Sequence, residues 1–187
     1  ANGGGSIGRG EAPFVEPAAV PPTIQPPPVG EAGQPLAVPG PFDGDAANTQ
    51  VTIGGEPCPP LAESPRQVVV QTPPDLVGPV TMQVQEGSET FQATYNNIRI
   101  ELSAERTTLR RGERTGVTLQ VHGLQGLQQP IGIALDATAS VALRGGNQQT
   151  VLVNPRAVDE NGVFTREFSL RVNAAGPFDI TAHLTGG

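Results

Sequence analysis

Apolar and polar residues alternate one by one along many short stretches of this chain. Valine and leucine alternate with polar residues at 116–122, and residues 80–85 repeat the pattern. A period of two is typical of a β-strand with one buried and one solvated face. The pattern predicts strands at residues 23–25, 35–38, 50–53, 66–71, 80–85, 90–95, 98–103, 116–122, 131–136, 140–143, 149–153, 163–172 and 178–184. Turn residues separate these stretches and none has a helical period, so we predict an all-β fold.

The predicted strands fall into two sets, which the polar pair Asn96-Asn97 separates. A length of 187 residues suits two small domains. We therefore predict an extended tail at residues 1–20, a first antiparallel β-sandwich at residues 21–97 and a second, tandem sandwich at residues 98–187.

Glycine-rich turns and short strands follow a recurrent order in the first sandwich. They are Gly40-Pro-Phe-Asp-Gly44, Val51-Thr-Ile-Gly-Gly55, Leu61, Ser64, Val68-Val-Val70, Pro73-Pro74 and Gly78-Pro-Val80. On these residues, positions 22–101 resemble the IPT/TIG family of immunoglobulin-like domains. Residues 98–187 are similar to bacterial immunoglobulin-like modules at Leu109-Arg-Arg-Gly112, Leu124-Gln-Gly126 and Asn161-Gly-Val-Phe164. The resemblance implies two immunoglobulin-like sandwiches, which in bacterial surface and extracellular proteins serve as spacers, adhesive units or enzyme accessories without activity of their own.

Glycine and proline are concentrated near the N-terminus. Half of the 20 prolines precede Asp43, and the tail contains a run of three glycines. Such a segment cannot bury enough apolar area to fold alone. We predict that it binds another copy of the chain by adding a strand or filling a groove. The predicted apolar anchors are Ile7, Phe14, Val15 and Val20. A head-to-tail contact of this kind does not close, so it builds a homopolymer.

The net charge of −7 is distributed unevenly. Residues 1–97 hold ten acidic residues and two arginines, whereas residues 98–187 hold nine arginines and eight acidic residues. We define an arginine patch at the start of the second sandwich by four residues: Arg106, Arg110, Arg111 and Arg114. The patch is predicted to bind an acidic polymer or the acidic face of a neighbouring copy, or else to be a solvated edge protected by charge. The acidic balance argues against nucleic acid as a partner.

Few residues could carry chemistry. Both histidines, His122 and His183, alternate outward on predicted strands. Cys58 lies among prolines without a neighbouring base or cation, so an inert thiol and an intermolecular disulfide both remain open. We therefore predict that the chain is not an enzyme and uses no cofactor. With no tryptophan and one tyrosine, an aromatic pocket for a small-molecule ligand is not expected.

Two short acidic loops are candidates for a metal, and the weaker one, Asp159-Glu160-Asn161, is fully explained by a hairpin turn. Asp43, Asp45 and Asn48 have some of the spacing of a calcium loop, but no glutamate follows them at the usual position. An Asx turn explains these residues equally well. The prediction is therefore no metal site, with weak calcium binding left open at this loop.

Together these observations predict a non-enzymatic structural subunit of an extracellular filament or surface polymer that assembles head-to-tail through its N-terminal tail. The first alternative is a monomeric cell-surface module for adhesion or ligand binding, and the second is an accessory region of a larger enzyme. No apolar run reaches the ~20 residues of a membrane span. The chain begins with Ala1 rather than Met, which suits either signal-peptide removal or a start trimmed by other means, and we expect a protein secreted or displayed at the cell surface.

Overall fold

A computed structural model describes residues 23–185 of the chain. Within this range the elements are β1 (Val29–Glu31), β2 (Pro35–Pro39), β3 (Thr49–Ile53), β4 (Glu56–Pro57), β5 (Pro60–Ser64), β6 (Gln67–Gln71), β7 (Gly78–Glu86), β8 (Glu89–Ala104), β9 (Arg114–His122), β10 (Ile131–Ala137), β11 (Val141–Leu143), β12 (Gln148–Val153), β13 (Phe164–Val172) and β14 (Ile180–Leu184), with 3-10 helices at Ala46–Asn48 and Pro155–Ala157. The prediction of an all-β, antiparallel, immunoglobulin-like fold is confirmed.

The described strands form one long sheet and two short ones. The long sheet has the order β11-β13-β9-β8-β7-β3-β4, and β1 pairs in parallel alongside β8. The short sheets have the orders β2-β6-β5 and β12-β10-β14. All the pairings along these three orders are antiparallel. Each short sheet packs on one part of the long sheet, because side chains from both contribute to one core.

Apart from Val29, which packs in the second core, the residues of the two hydrophobic cores lie on opposite sides of the predicted domain boundary. We call residues 23–97 the N-terminal half and residues 98–185 the C-terminal half. The first core includes Leu36, Val38, Val51, Ile53, Val68, Val70, Met82, Val84 and Tyr95. The second includes Ile98, Val117, Leu119, Val121, Ile133, Leu135, Val151, Val153 and Leu170. The strict alternation at 117, 119 and 121 therefore points inward as predicted, and each of those side chains is at most 2% exposed.

Strand β8 is the element that joins the halves. Its residues Glu89–Asn97 pair with β7, and its residues Arg99–Ala104 pair with β9. The sequence predicted two strands with a break at the asparagine pair, and this was wrong: the strand continues for 16 residues. The long sheet consequently runs through both halves without interruption.

Prolines account for most of the other differences from the predicted strands. The predicted strand at residues 23–25 is absent, although Ile24 is buried and the Gln25 N–H donates to the carbonyl of Pro39 at 2.8 Å. Strands β1, β4 and β5 were missed. Two of them contain proline, and all three lie at the margins of their sheets, where proline is tolerated.

The predicted tail at residues 1–20, with its anchors Ile7, Phe14, Val15 and Val20, lies outside the described residues. Over the part of the chain that the structure does describe, no helix has the length and apolar character needed to cross a membrane.

Candidate functional sites

The junction between the halves is built around two adjacent asparagines with different surroundings. Asn97 is fully buried, and its side-chain amide donates to the carbonyls of Pro73 at 2.9 Å and Leu76 at 2.7 Å. Its Oδ1 accepts a hydrogen bond from the hydroxyl of Tyr95 at 3.2 Å. A polar pair that resembled a linker is thus tolerated within a strand, because its hydrogen-bonding groups are satisfied.

Asn96 makes contacts across the junction instead. Its amide donates to the carbonyls of Gly123 at 2.8 Å and Gln125 at 2.7 Å, both in the loop after β9. The backbone of the two halves is very close here. Gly123 has φ of +94°, and a Cβ atom at this position would lie 2.6 Å from the carbonyl oxygen of Asn97. Glycine is therefore required at residue 123 by both conformation and space.

A second set of contacts across the junction joins β1 to the last strand, β14. The Glu31 carboxylate accepts a hydrogen bond from the backbone N–H of Leu184 at 2.9 Å and lies 3.2 Å from Nδ1 of His183. Glu31 belongs to β1 of the N-terminal half, whereas the other two residues belong to the last strand, β14. The side chain of Glu31 is only 15% exposed, so water competes weakly for these bonds.

Three carboxylates meet at the opposite end of the N-terminal half. Asp43 lies in the loop after β2, Glu63 in the edge strand β5, and Glu86 at the end of β7. One oxygen from each of the three lies within 4.8 Å of the others. We call this group the carboxylate cluster. Since β7 runs from the junction at Gly78 to Glu86, the cluster is about 26 Å from the junction.

The pKa values of two carboxyl groups in the cluster, Glu63 and Asp43, are shifted in opposite directions. Burial, followed by the nearby Asp43 and Glu86 carboxylates, raises the pKa of the Glu63 carboxyl. Both Glu63 oxygens are out of contact with solvent and lack a hydrogen-bond partner in the described structure. In contrast, the hydrogen bond from the Asn48 amide lowers the pKa of Asp43.

The three residues of the predicted calcium loop have different roles in the structure. Asp45 caps the 3-10 helix by accepting from the N–H of Ala47 at 3.0 Å. Asn48 donates its amide to Oδ2 of Asp43 at 2.8 Å. Only Asp43 of the predicted trio therefore belongs to the carboxylate cluster. Glu63 and Glu86 were missed because folding, rather than sequence spacing, brings them to Asp43.

The predicted arginine patch is divided by the turn before β9. Arg106 lies 3.4 Å from the carboxylate of Glu113, which also accepts from the backbone N–H of Arg110 at 2.6 Å. That backbone bond, followed by the charge of Arg106, lowers the pKa of Glu113. Arg111 is exposed in the same turn. Arg114 is the first residue of β9 and lines a different surface.

An open cavity of about 790 Å³ brings Arg114 together with two arginines distant in sequence. Arg144 and Arg166 are the others, and the Arg166 guanidinium lies 5.4 Å from the ring centroid of Phe168. We call this the arginine cavity. None of the three arginines forms an ion pair with another residue of the 23–185 range. Arg114 is also directly opposite Arg171 on the neighbouring strand, a like-charge pair that an anion would stabilise.

The predicted outward histidines and the cysteine are in separate environments. His122 lies 3.1 Å from the Glu101 carboxylate, on the outer face of β9. Cys58 is 4% exposed, and burial raises the pKa of its thiol. Between residues 23 and 185 no hydrogen bond joins a histidine to a hydroxyl or thiol group, so that part of the chain shows no assembled nucleophile and base.

Comparison with known families decides the nature of the N-terminal half. The profile of the IPT/TIG domain matches residues 24–101. These residues form an IPT/TIG domain. The IPT/TIG domain contains the whole carboxylate cluster, and it ends within β8, after the asparagine pair. The arginine cavity lies beyond it. No curated protein sequence matches this chain.

Several solved structures resemble this chain at low identity and low TM-score. A Bacteroides ovatus mixed-linkage glucan utilization protein, SGBP-B, in complex with a heptasaccharide, is 12% identical over 83% of this chain and 50% of its own length, with a TM-score of 0.38. The Yersinia pseudotuberculosis adhesin InvE is 14% identical over 86% and 58%, with a TM-score of 0.29. The plexin A4 extracellular region is 16% identical over 83% and 13%, with a TM-score of 0.38. This chain thus spans less than two thirds of each, and these similarities carry no argument about function.

Proposed function

We propose that this chain is a non-enzymatic module of the cell surface or extracellular space, in which two immunoglobulin-like domains act as one rigid spacer. The observation that supports the proposal most directly is strand β8, which is hydrogen-bonded in both halves without a linker. IPT/TIG domains are immunoglobulin-like modules without catalytic activity, and this suits a structural role.

The energetics favour a fixed angle between the halves. Bending at residues 97 and 98 would break ladder hydrogen bonds of β8 and the contacts of Asn96 and Glu31 across the junction. Each such hydrogen bond contributes about 0.5–1.5 kcal/mol net. Several bonds must break together in a hinge motion, so we expect bent states to be rare.

Small-angle X-ray scattering on the full chain tests the proposed rigidity. A variant with four Gly-Ser residues inserted between Asn97 and Ile98 is expected to give a broader distribution of interatomic distances than the wild type. The matched control is the same insertion between Gly145 and Gly146, which lie in an exposed turn and should leave the distribution nearly unchanged. Identical profiles for the wild type and the junction insertion would show that the native junction is already flexible.

Head-to-tail assembly through residues 1–20 is a finer proposal for the same module. Its support is the pair of large exposed apolar side chains, Leu61 at 56% and Leu152 at 61%, which lie on the edge strands β5 and β12. An open edge with an apolar side chain can accept a strand from another copy. The donor would be the tail with its anchors Ile7, Phe14, Val15 and Val20.

Sedimentation velocity and electron microscopy test this assembly. Deleting residues 1–20 should abolish oligomers and filaments, and Leu61→Asn or Leu152→Asn should weaken them if the corresponding edge accepts the tail. A matched control is Ala62→Asn, because Ala62 is also exposed on β5 but has little apolar surface. Unchanged oligomers in the deletion variant would remove the tail from the mechanism.

Binding of an acidic partner is the alternative function, and the arginine cavity favours it. Guanidinium groups bind carboxylate or sulfate groups with two parallel hydrogen bonds. We expect the chain to be retained on an immobilised sulfated polysaccharide, and Arg166→Gln to elute at lower salt than the control Arg156→Gln, which removes an arginine outside the cavity. Equal elution of the two variants would exclude the cavity as the binding surface.

A further inference from the structure

The carboxylate cluster is compact enough for its three carboxylates to contact a single cation. One oxygen each from Asp43, Glu63 and Glu86 lies within 4.8 Å of the other two. Calcium is bound at 2.3–2.6 Å by oxygen ligands, so oxygens of one sphere are separated by at most about twice that distance. The three carboxylates come from a loop, an edge strand and a strand end, and the fold holds them at this spacing.

The surroundings of the Glu63 carboxylate also favour a bound cation. Both of its carboxylate oxygens are shielded from solvent, and neither has a hydrogen-bond partner in the described structure. The Glu63 residue as a whole is only partly buried, but carboxylate oxygens that are shielded from water and lack partners are costly, and such charges in proteins are paired or coordinate a metal. The charged groups that act on Glu63 are Asp43 and Glu86, which carry the same sign. An ordinary cluster of solvated acids would not have these properties.

Neighbouring hydrogen bonds hold the other two carboxylates in place. Oε2 of Glu86 accepts from the backbone N–H of Asp43 at 3.0 Å and from the Thr49 hydroxyl at 3.3 Å. Oδ2 of Asp43 accepts from the Asn48 amide at 2.8 Å. Bonds of this type orient ligands around a metal, and they leave both Glu63 oxygens and Oε1 of Glu86 without a described partner.

We infer that Asp43, Glu63 and Glu86 bind a calcium ion at the end of the IPT/TIG domain farthest from the junction. Calcium fits better than magnesium because it accepts carboxylates in one- or two-oxygen contact with irregular geometry, whereas magnesium requires near-ideal octahedral coordination. The bound ion would neutralise three like charges and tie the loop after β2 to strands β5 and β7.

Thermal unfolding of the chelator-treated full chain tests this site directly. Calcium chloride at tenfold above the dissociation constant is expected to raise the Tm of the wild type by about 3–6 °C. Magnesium chloride at the same concentration is expected to produce a smaller shift. Glu63→Gln should abolish the calcium response. The matched control is Glu56→Gln, which removes one exposed carboxylate of the same half outside the cluster and should keep the full response.

Calorimetric titration with calcium gives a readout that does not depend on a variant being folded. About one site per wild-type chain supports the inference, and at least tenfold weaker binding by Asp43→Asn supports the assignment of ligands. An absence of binding up to about 10 mM calcium overturns the inference, because even weak extracellular sites bind below that concentration. In the thermal-unfolding experiment, an equal calcium-induced Tm shift in the wild type and in Glu63→Gln overturns the inference as well. So does an equal Tm shift of the wild type with calcium and with magnesium. If calcium leaves the Tm of the wild type unchanged and Glu63→Gln is more stable than the wild type, the carboxylates of the cluster share a proton instead of binding calcium.

Discussion

Asn97 is predicted to be the most sensitive polar residue of the junction. Asn97→Ala would remove a fully buried amide that bonds the carbonyls of Pro73 and Leu76 and accepts from the Tyr95 hydroxyl. Each buried polar group that is left without a partner costs about 1–3 kcal/mol. Because one of these carbonyls is only partly buried, we expect a total loss of about 3–5 kcal/mol in the free energy of unfolding.

This loss is large compared with the ~5–15 kcal/mol that stabilises a typical domain. For a chain of this size it corresponds to a decrease in Tm of roughly 6–20 °C. The adjacent asparagine offers a matched comparison. Asn96→Ala also removes two hydrogen bonds, but residue 96 is partly exposed and water can replace them, so we expect about 1–2 kcal/mol.

Urea unfolding measured with two probes is the assay. Tyr95 is the sole tyrosine of a chain without tryptophan, so its fluorescence reports on the junction, whereas far-ultraviolet circular dichroism reports on all the strands. The two transitions should coincide in the wild type if the halves unfold together. A loss below about 1 kcal/mol for Asn97→Ala, or a greater loss for Asn96→Ala, would refute the role assigned to the buried amide.

Three further predictions follow from single residues. Gly123→Ala should destabilise the chain by at least about 3 kcal/mol more than Gly126→Ala in urea unfolding, because both have positive φ but only at Gly123 would a Cβ meet backbone atoms; equal losses would disprove the close approach. The lowered pKa of Glu113 predicts stabilisation that is present above its ordinary value near 4.5 and disappears as the pH falls through the lowered value. The Tm advantage of the wild type over Glu113→Gln should therefore shrink between about pH 6 and about pH 3, and a constant difference would contradict it. Cys58 should react slowly with a thiol reagent in the native chain and rapidly in urea, since it is buried with a raised pKa; fast native labelling would show that it is accessible.

The extent to which the sequence predicted the fold depended on the surroundings of each strand. Strand β9 was predicted within two residues of its observed start because it has paired neighbours on both sides, one face in the core and a clear alternation. Strands β4 and β5 were missed because they are short or marginal, and their burial pattern does not alternate. The break predicted within β8 was wrong because two adjacent asparagines resemble a turn when their buried partners are unknown.

The candidate sites were less predictable, because each depends on residues that are distant in sequence. Asp43 and Glu86 are 43 positions apart, and no local pattern connects them. The arginine patch had the opposite problem, since its members are close in sequence but the turn before β9 separates Arg106 from Arg114. The charge composition predicted that acidic and basic surfaces exist. Which side chains lie together on the same surface is determined by the sheet topology.

The sharing of β8 has a consequence for dissecting this protein into fragments. Val29 belongs to the N-terminal half by sequence, yet its side chain is 5% exposed and packs in the core of the C-terminal half. A recombinant fragment that begins at residue 98 would lack this valine and expose the core beneath it, while a fragment that ends at residue 97 would lose the Gly123 and Gln125 carbonyls that Asn96 binds. The smallest independently stable piece is therefore expected to include both halves, so expression of the IPT/TIG domain alone should yield a less cooperative and more protease-sensitive product.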